Sequence, residues 1–236
     1  GAAATARRLA CRRADGVIGL NIAANTASGD PESDYAQVIT TCGPYVNYLT
    51  VNVSCPNQDS HFDLRNHATL KRVLSAVKEA RSVACPDIPV FLKLSPDLSD
   101  ADLERIVNLA CRAEVSGFIA TNTTRHRPPL SSPIRSVTGG LSGVPLFDQS
   151  TRILAKVFAA TNGTMPIIGV GGIASAADAI TKIRAGATAL QIYTALVYQG
   201  VGLIDAICQG IDVHLQSEGS ASVASIVGLD HEQWLT

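Results

Sequence analysis

The chain has 236 residues, 46% hydrophobic, 17% charged and 5% aromatic, enough apolar material to bury a core as one domain or two small ones, which excludes a disordered or fibrous chain. Its 19 Lys and Arg against 20 Asp and Glu give a formal charge of -1. No basic stripe interleaves with aromatics, so nucleic acid has no electrostatic footprint and a small neutral or anionic ligand is expected.

The opening segment carries Arg7, Arg8, Arg12 and Arg13 with no acid before Asp15, a pattern shared by transit peptides and by solvated helix ends. Short β-rich runs then recur at 17–22, 48–53, 89–94, 117–121, 166–170 and 189–193. Each is apolar throughout instead of alternating, which predicts six buried strands of a parallel sheet. Helical periodicity fills the intervals. Tyr35, Val38, Ile39 and Cys42 share a face, as do Leu70, Val73, Leu74 and Val77. So do Leu103, Ile106, Val107 and Ala110, and Ile153, Leu154, Val157 and Phe158, while Leu203, Ile204, Ile207 and Ile211 predict a last amphipathic helix. Ser99 with Asp102 and Ser175 with Asp178 read as capping boxes, and Gly163 and Gly186 stand where helices should end.

Strict alternation of strand and helix predicts a parallel α/β fold, either doubly wound or a closed eight-stranded barrel. The lack of GxGxxG after the first strand counts against a dinucleotide fold. The long insertion at 124–150, with Pro128, Pro129, Pro133 and Pro145, reads as a functional loop and not as a domain boundary. No apolar run reaches the ~20 residues of a membrane-spanning helix. The six cysteines form no CxxC pair and the five histidines no HxH or HExxH pattern, so a reducing compartment and no metal site are expected.

Polar residues gather just after the strands. Gly171 and Gly172 lie between a strand and a helix, where backbone N–H groups and the helix N-terminus suit a phosphate; the same glycines suit a tight turn that needs φ > 0. Gly139, Gly140 and Gly143, in the long loop, could close over that phosphate. Asn52, Cys55 and Asn57 end the second strand, Lys93 sits in the third, and Thr121, Asn122 and Thr123 end the fourth. Buried amides and ammonium groups are costly unless paired. A capped turn or an ion pair would account for one such place; three successive strand ends point to a planar, hydrogen-bonding ligand. Cys55 is the cysteine set among these groups. A thiol with a pKa of ~8.5 is partly ionised at neutral pH and can take a proton, although a small buried hydrophobe is the other reading of it.

In order along the chain, NVSCPN at 52–57, FLKLSPDL at 91–98, ATNTT at 120–124, TGGLSG at 138–143, PIIGVGGI at 166–173 and QIYTAL at 191–196 resemble the dihydroorotate dehydrogenases, flavin enzymes of pyrimidine synthesis built on a (β/α)8 barrel. The resemblance runs from about Gly16 to the C-terminus, and GLDH at 228–231 is similar to the membrane-associated, quinone-using class 2. It implies an incomplete TIM barrel of about six βα units, the family's strands 3 to 8, as a single partial FMN-binding domain over 1–236. FMN contacts would fall on Asn21, Asn52, Lys93, Thr121, Gly143, Gly172, Tyr193 and Thr194. Contacts to dihydroorotate or orotate would fall on Asn52, Asn57, Asn122 and Thr123, the catalytic base on Cys55, and the electrons would pass to quinone. The membrane would be the bacterial cytoplasmic or mitochondrial inner one, reached through an amino-terminal segment that this sequence lacks. By the same resemblance the family's first two strands and a substrate-binding lysine are missing, so a fragment, or a chain completed by another, is expected.

Two departures from class 2 stand out: a serine is ordinary where Cys55 stands, cysteine being the habit of the soluble class 1, and QDSHFDLR at 58–65 replaces a loop that ordinarily reads TxGLRxLQ. Two further readings use the same residues, a non-catalytic interaction remnant and a non-redox, phosphate-binding barrel enzyme.

Overall fold

A computed structural model describes residues 1–13, 15–25, 28–53, 66–129 and 137–236. Helices and parallel strands alternate in two compact units, one of residues 1–93 and 101–116 and the other of 94–100 and 117–236.

The first unit runs α1 (Ala2–Ala10), β1 (Gly19–Ile22), α2 (Pro31–Cys42), β2 (Tyr48–Asn52), α3 (His67–Ala84), β3 (Val90–Leu94) and α4 (Asp100–Arg112). β1, β2 and β3 pair in parallel, with Asn21 opposite Thr50 and Asn52 opposite Lys93. Parallel neighbours need a crossover, which α2 and α3 supply. Asp30 caps α2 by accepting the Ser33 N–H at 3.1 Å, with Pro31 preset for the first turn. Asn66 caps α3 by accepting the Ala68 N–H at 3.0 Å. The predicted stripes of α3 and α4 are all buried, as are Tyr35, Ile39 and Cys42 of α2; each large aliphatic so removed from water contributes about 1.5–3 kcal/mol. Arg7 and Arg8 stand exposed at the end of α1 while Ala6 is buried, the arrangement of a solvated helix end.

The second unit runs β4 (Gly117–Ala120), α5 (Phe147–Ala160), β5 (Ile167–Val170), α6 (Ala176–Arg184), β6 (Ala189–Gln191), α7 (Thr194–Gln199) and α8 (Gly202–Ser217), with 3-10 turns at Val144–Leu146, Val223–Ile226 and His231–Trp234. β4, β5 and β6 are parallel, with Ile119 opposite Ile168 and Gly169 opposite Leu190. The Ser175–Asp178 capping box forms: the Asp178 N–H donates to Ser175 Oγ at 3.2 Å, and the Asp178 carboxylate accepts from Ser175 Oγ and from the Ala174 N–H. The long loop is pinned at both ends by an antiparallel bridge between Thr124 and Leu141. Arg127 crosses it, donating to the Gly139 carbonyl at 2.6 Å and the Val137 carbonyl at 3.1 Å.

Three expectations need correction. The strands at 17–22 and 189–193 are shorter than predicted and only partly buried: Ile22 is buried, but Val17 and Tyr193, beyond the strand ends, are 78% and 81% exposed, and β1 and β6 each pair with one strand among the described residues, so the ladder holds only the residues their partners reach. Ile204 is 47% exposed. In α8 the buried row is Leu203, Ile207 and the half-buried Ile211, four residues apart, and Ile204 lies a helical step of ~100° away from it. Finally, α7 was not expected: it has six residues, none fully buried, and only Ala195 and Leu196 pack on the core, too few to form a stripe. Among the described residues no helix is long and apolar enough to cross a membrane.

Candidate active site

Register partners in a sheet point their side chains to the same side. Asn21 opposite Thr50, Thr50 opposite Phe91, and Asn52 opposite Lys93, therefore put Asn21, Thr50, Asn52 and Lys93 on one face of the first unit's sheet together with the rings of Tyr48 and Phe91, with Leu20, Leu49, Val51, Leu92 and Leu94 on the other. Runs that read as apolar throughout thus have one aliphatic face and one mixed face on which amides, a hydroxyl and an ammonium stand beside two aromatic rings. Asn52 is buried, and its backbone carbonyl accepts the Tyr35 hydroxyl at 2.8 Å, so a buried tyrosine of α2 fixes the end of β2. Asn21 is exposed and Lys93 half-buried. Cys55 and Asn57, the expected base and a substrate contact, lie outside the described residues.

In the second unit β4 runs straight into Thr121, Asn122 and Thr123. Thr121 is buried, its N–H donating to the Val170 carbonyl at 3.0 Å and its hydroxyl to the Asn122 carbonyl at 2.8 Å. The Asn122 N–H donates to the Leu94 carbonyl, and its side-chain oxygen accepts the Thr123 N–H at 2.9 Å, which fixes the plane of the amide. Asp97, which sequence reasoning passed over, organises the residues beyond. Its carboxylate accepts the Thr124 hydroxyl, the Arg125 N–H at 2.8 Å and the Gln149 amide at 2.9 Å. A lone aspartate in a loop carries no sequence signal of such a role.

Gly143, Gly172 and Thr194 also gather. The Thr194 hydroxyl is 2.9 Å from that of Ser142, and a Cβ on Gly143, whose φ is +84°, would lie 3.2 Å from the Thr194 methyl. One 3-10 turn carries the chain from Gly143 to Phe147, and Gly172 packs against Phe147 so closely that a Cβ there would meet its Cβ at 2.5 Å. The tight-turn reading of the late glycines holds: Gly171 and Gly172, at φ +113° and +79°, are required by the turn and by its packing on α5. At the N-terminus of α6 the Ser175–Asp178 box occupies the amides of Ala174 and Asp178. The glycine backbone and the hydroxyls of Ser142 and Thr194 are a donor set that fits a phosphate. Tyr193 is exposed beside them.

Lys182 is the other residue that was missed. It is fully buried on α6 and donates to Ser150 Oγ at 2.6 Å. A lysine on the same stripe as Ala179 and Ile183 was the available signal. Burial dominates its titration and brings its pKa down to about 7, against the smaller opposing pull of Asp148 and Asp178. Burial also pushes the Cys42 and Cys85 thiols up, which makes them poor proton acceptors. Among the described residues no group of three or more His, Cys, Asp or Glu could hold a metal ion.

Comparison with known proteins gives this arrangement its relatives. Residues 1–215 match the family described as dihydroorotate dehydrogenase. The dihydroorotate dehydrogenase (quinone) of Cereibacter sphaeroides is 48% identical over 237 residues, covering 100% of this chain and 67% of the relative. That of Rhodopseudomonas palustris is 44% identical over 236 residues, covering 98% of this chain and 65% of the relative. A crystal structure of DHODH from Eimeria tenella in complex with ferulenol superposes with a TM-score of 0.86 at 31% identity, covering 98% of this chain and 66% of that one. Its ligand-free counterpart superposes with the same TM-score of 0.86 at 30% identity. The chain spans about two thirds of the length of these proteins. Of the two α/β architectures open from the sequence, the likeness selects the (β/α)8 barrel, incomplete here with about six βα units. By the match over residues 1–215 and the identity shared with its relatives, the chain belongs to the dihydroorotate dehydrogenase family of oxidoreductases.

Proposed function

We propose that this chain carries flavin- and substrate-binding residues of a dihydroorotate dehydrogenase, which oxidises dihydroorotate to orotate in pyrimidine synthesis and passes the electrons to quinone at a membrane surface. The observation that carries the reading is the family match over residues 1–215 together with relatives named for quinone. The mixed face of β1–β3 and the hydroxyl and glycine group beside Thr194 support it.

FMN is the proposed cofactor, and when bound it supplies the hydride acceptor and the route of the electrons to quinone. Asn21, Asn52, Lys93 and Thr121 are the proposed contacts to its ring system and ribityl chain. Gly143, Gly172, Tyr193 and Thr194 are proposed to hold its phosphate. Lys93 contributes a positive charge where negative charge develops during hydride transfer.

Asn52, Asn57, Asn122 and Thr123 are proposed to present amides and hydroxyl to the ring edges and carboxylate of the substrate. The rigid Asn122–Thr123 pair orients that edge before the substrate arrives, so less ordering remains at the moment of reaction. Cys55 is the proposed base: its thiolate takes the proton from C5 of dihydroorotate as C6 gives up its hydride, which leaves the C5–C6 double bond of orotate.

The test is anaerobic addition of dihydroorotate to protein expressed from the complete gene. The expected result is a yellow protein that is bleached as orotate forms. A colourless protein indifferent to dihydroorotate would leave the reading without support and favour the interaction remnant.

A further inference from the structure

Lys182 has no place in the reaction as proposed, yet it is fully buried directly beneath the Gly171–Gly172 turn. Its Nζ donates to Ser150 Oγ at 2.6 Å and to the Phe147 carbonyl at 3.4 Å, and stands 5.0 Å from the centre of the Phe147 ring. Ser150, itself fully buried, has its Oγ 3.0 Å from the Phe147 carbonyl and 3.1 Å from the Gly171 carbonyl, so its one proton faces both. A Cβ on Gly171 would stand only 2.7 Å from the Ser150 Oγ. Lysine, serine and turn are thus in a single packed line, and Gly172 closes it against Phe147.

A buried amine is an expensive way to fill space, since an apolar side chain of like volume would pack there without the desolvation cost. The charged groups acting on it are Asp148 of α5 and Asp178 of α6. Neither forms an ion pair with it, and Asp178 is turned to the Ser175 cap. The pull of both acids is outweighed by burial. An anion on the far side of the turn would supply the missing compensation.

We propose that Lys182 is a positioning residue for the phosphate of the bound flavin nucleotide: through Ser150 it fixes the Gly171–Gly172 turn, and its ammonium balances the phosphate charge from behind that turn. This rests on the flavin reading given above. With a pKa of about 7 before the anion arrives, the amine takes up a proton as the phosphate binds above that pH. Affinity for the phosphate-bearing flavin therefore falls as pH rises, while affinity for a flavin without phosphate does not.

The experiment compares FMN with riboflavin on the full-length protein stripped of flavin, following flavin fluorescence from about pH 7 to about 9, above the second ionisation of the FMN phosphate at about 6 so that the ligand's charge is constant. In the unsubstituted protein the preference for FMN over riboflavin should shrink as the pH rises across that range. Lys182→Met should lose about tenfold or more in FMN affinity, change riboflavin affinity little, and abolish the pH dependence of the ratio. Ser150→Ala, a smaller change, should move the ratio in the same direction, and it decides the matter if Lys182→Met does not fold. Equal weakening of both flavins by the variants, or a ratio independent of pH in the unsubstituted protein, overturns the role of Lys182. A protein that binds neither flavin overturns the flavin reading itself.

Discussion

Substituting Gly172 by alanine asks whether the late turn is built as the structure has it. A residue other than glycine at φ +79° carries a backbone penalty of about 1–2 kcal/mol. The new Cβ would also meet Phe147 Cβ at 2.5 Å, its Cα at 2.6 Å and its N at 2.7 Å. Two of those three atoms are backbone at the start of α5, which cannot swing aside as a side-chain end can, so overpacking adds about 1–3 kcal/mol. Gly219 is the internal control: its φ of +64° is also left-handed, it closes α8 with the Ser220 N–H on the Leu215 carbonyl, and a Cβ there meets nothing within 4 Å. Gly219→Ala therefore carries the backbone penalty alone, partly offset by about 0.4–1 kcal/mol from a stiffer unfolded chain. In a chain of this size each kcal/mol moves Tm by about 2–4 °C. Thermal unfolding followed by circular dichroism should show Gly219→Ala lowered by less than about 6 °C and Gly172→Ala lowered by about 2–12 °C more than that. Equal shifts would mean that the packing of the turn on Phe147 is not as described, and the phosphate cradle argued from it would fall.

Cys55→Ala should leave flavin bound and slow its reduction by dihydroorotate by about 10²–10⁴-fold, the range for a positioned base, in rapid-mixing absorbance traces; unchanged traces remove Cys55 from the proton path. Lys182 holds fewer protons in the folded than in the unfolded chain between pH about 7 and 10.5, so stability should rise with pH across that window, by at most about 5 kcal/mol. Urea unfolding of Lys182→Met over the same range should show that rise flattened, and parallel profiles would contradict it. Asp97→Asn halves the acceptor capacity that holds Thr124, Arg125 and Gln149. On an exposed carboxylate this should cost about 1 kcal/mol in denaturant titration, with KM for dihydroorotate raised through the adjoining Asn122–Thr123 pair; an unaltered KM would separate the clamp from the site.

Periodicity made most of the fold legible, because the stripe at Leu70, Val73, Leu74 and Val77 records locally which side of a helix meets the sheet. What it left out depends on partners distant in sequence. Val17 and Tyr193 look like strand residues, but strand length is decided by how far β2 and β5 extend alongside. α7 has six residues, of which only Ala195 and Leu196 pack on the core, too short a run to write a periodic pattern. At the site, the polar strand ends were visible as residue types, whereas their sharing of one face follows from register, which single strands do not carry. The Ser175–Asp178 box is legible in the sequence as a cap; that its carboxylate also takes the Ala174 amide emerges only from the fold. Lys182 was concealed by its composition, since a lysine on a short helix ordinarily reaches water, and only the fold shows Ser150 waiting for it.

Flavin content measures the central claim most directly. Protein from the complete gene, purified without added cofactor, heat-denatured and assayed for released flavin, should yield close to one FMN per chain. Release of no flavin, together with failure to take up added FMN, would contradict the account.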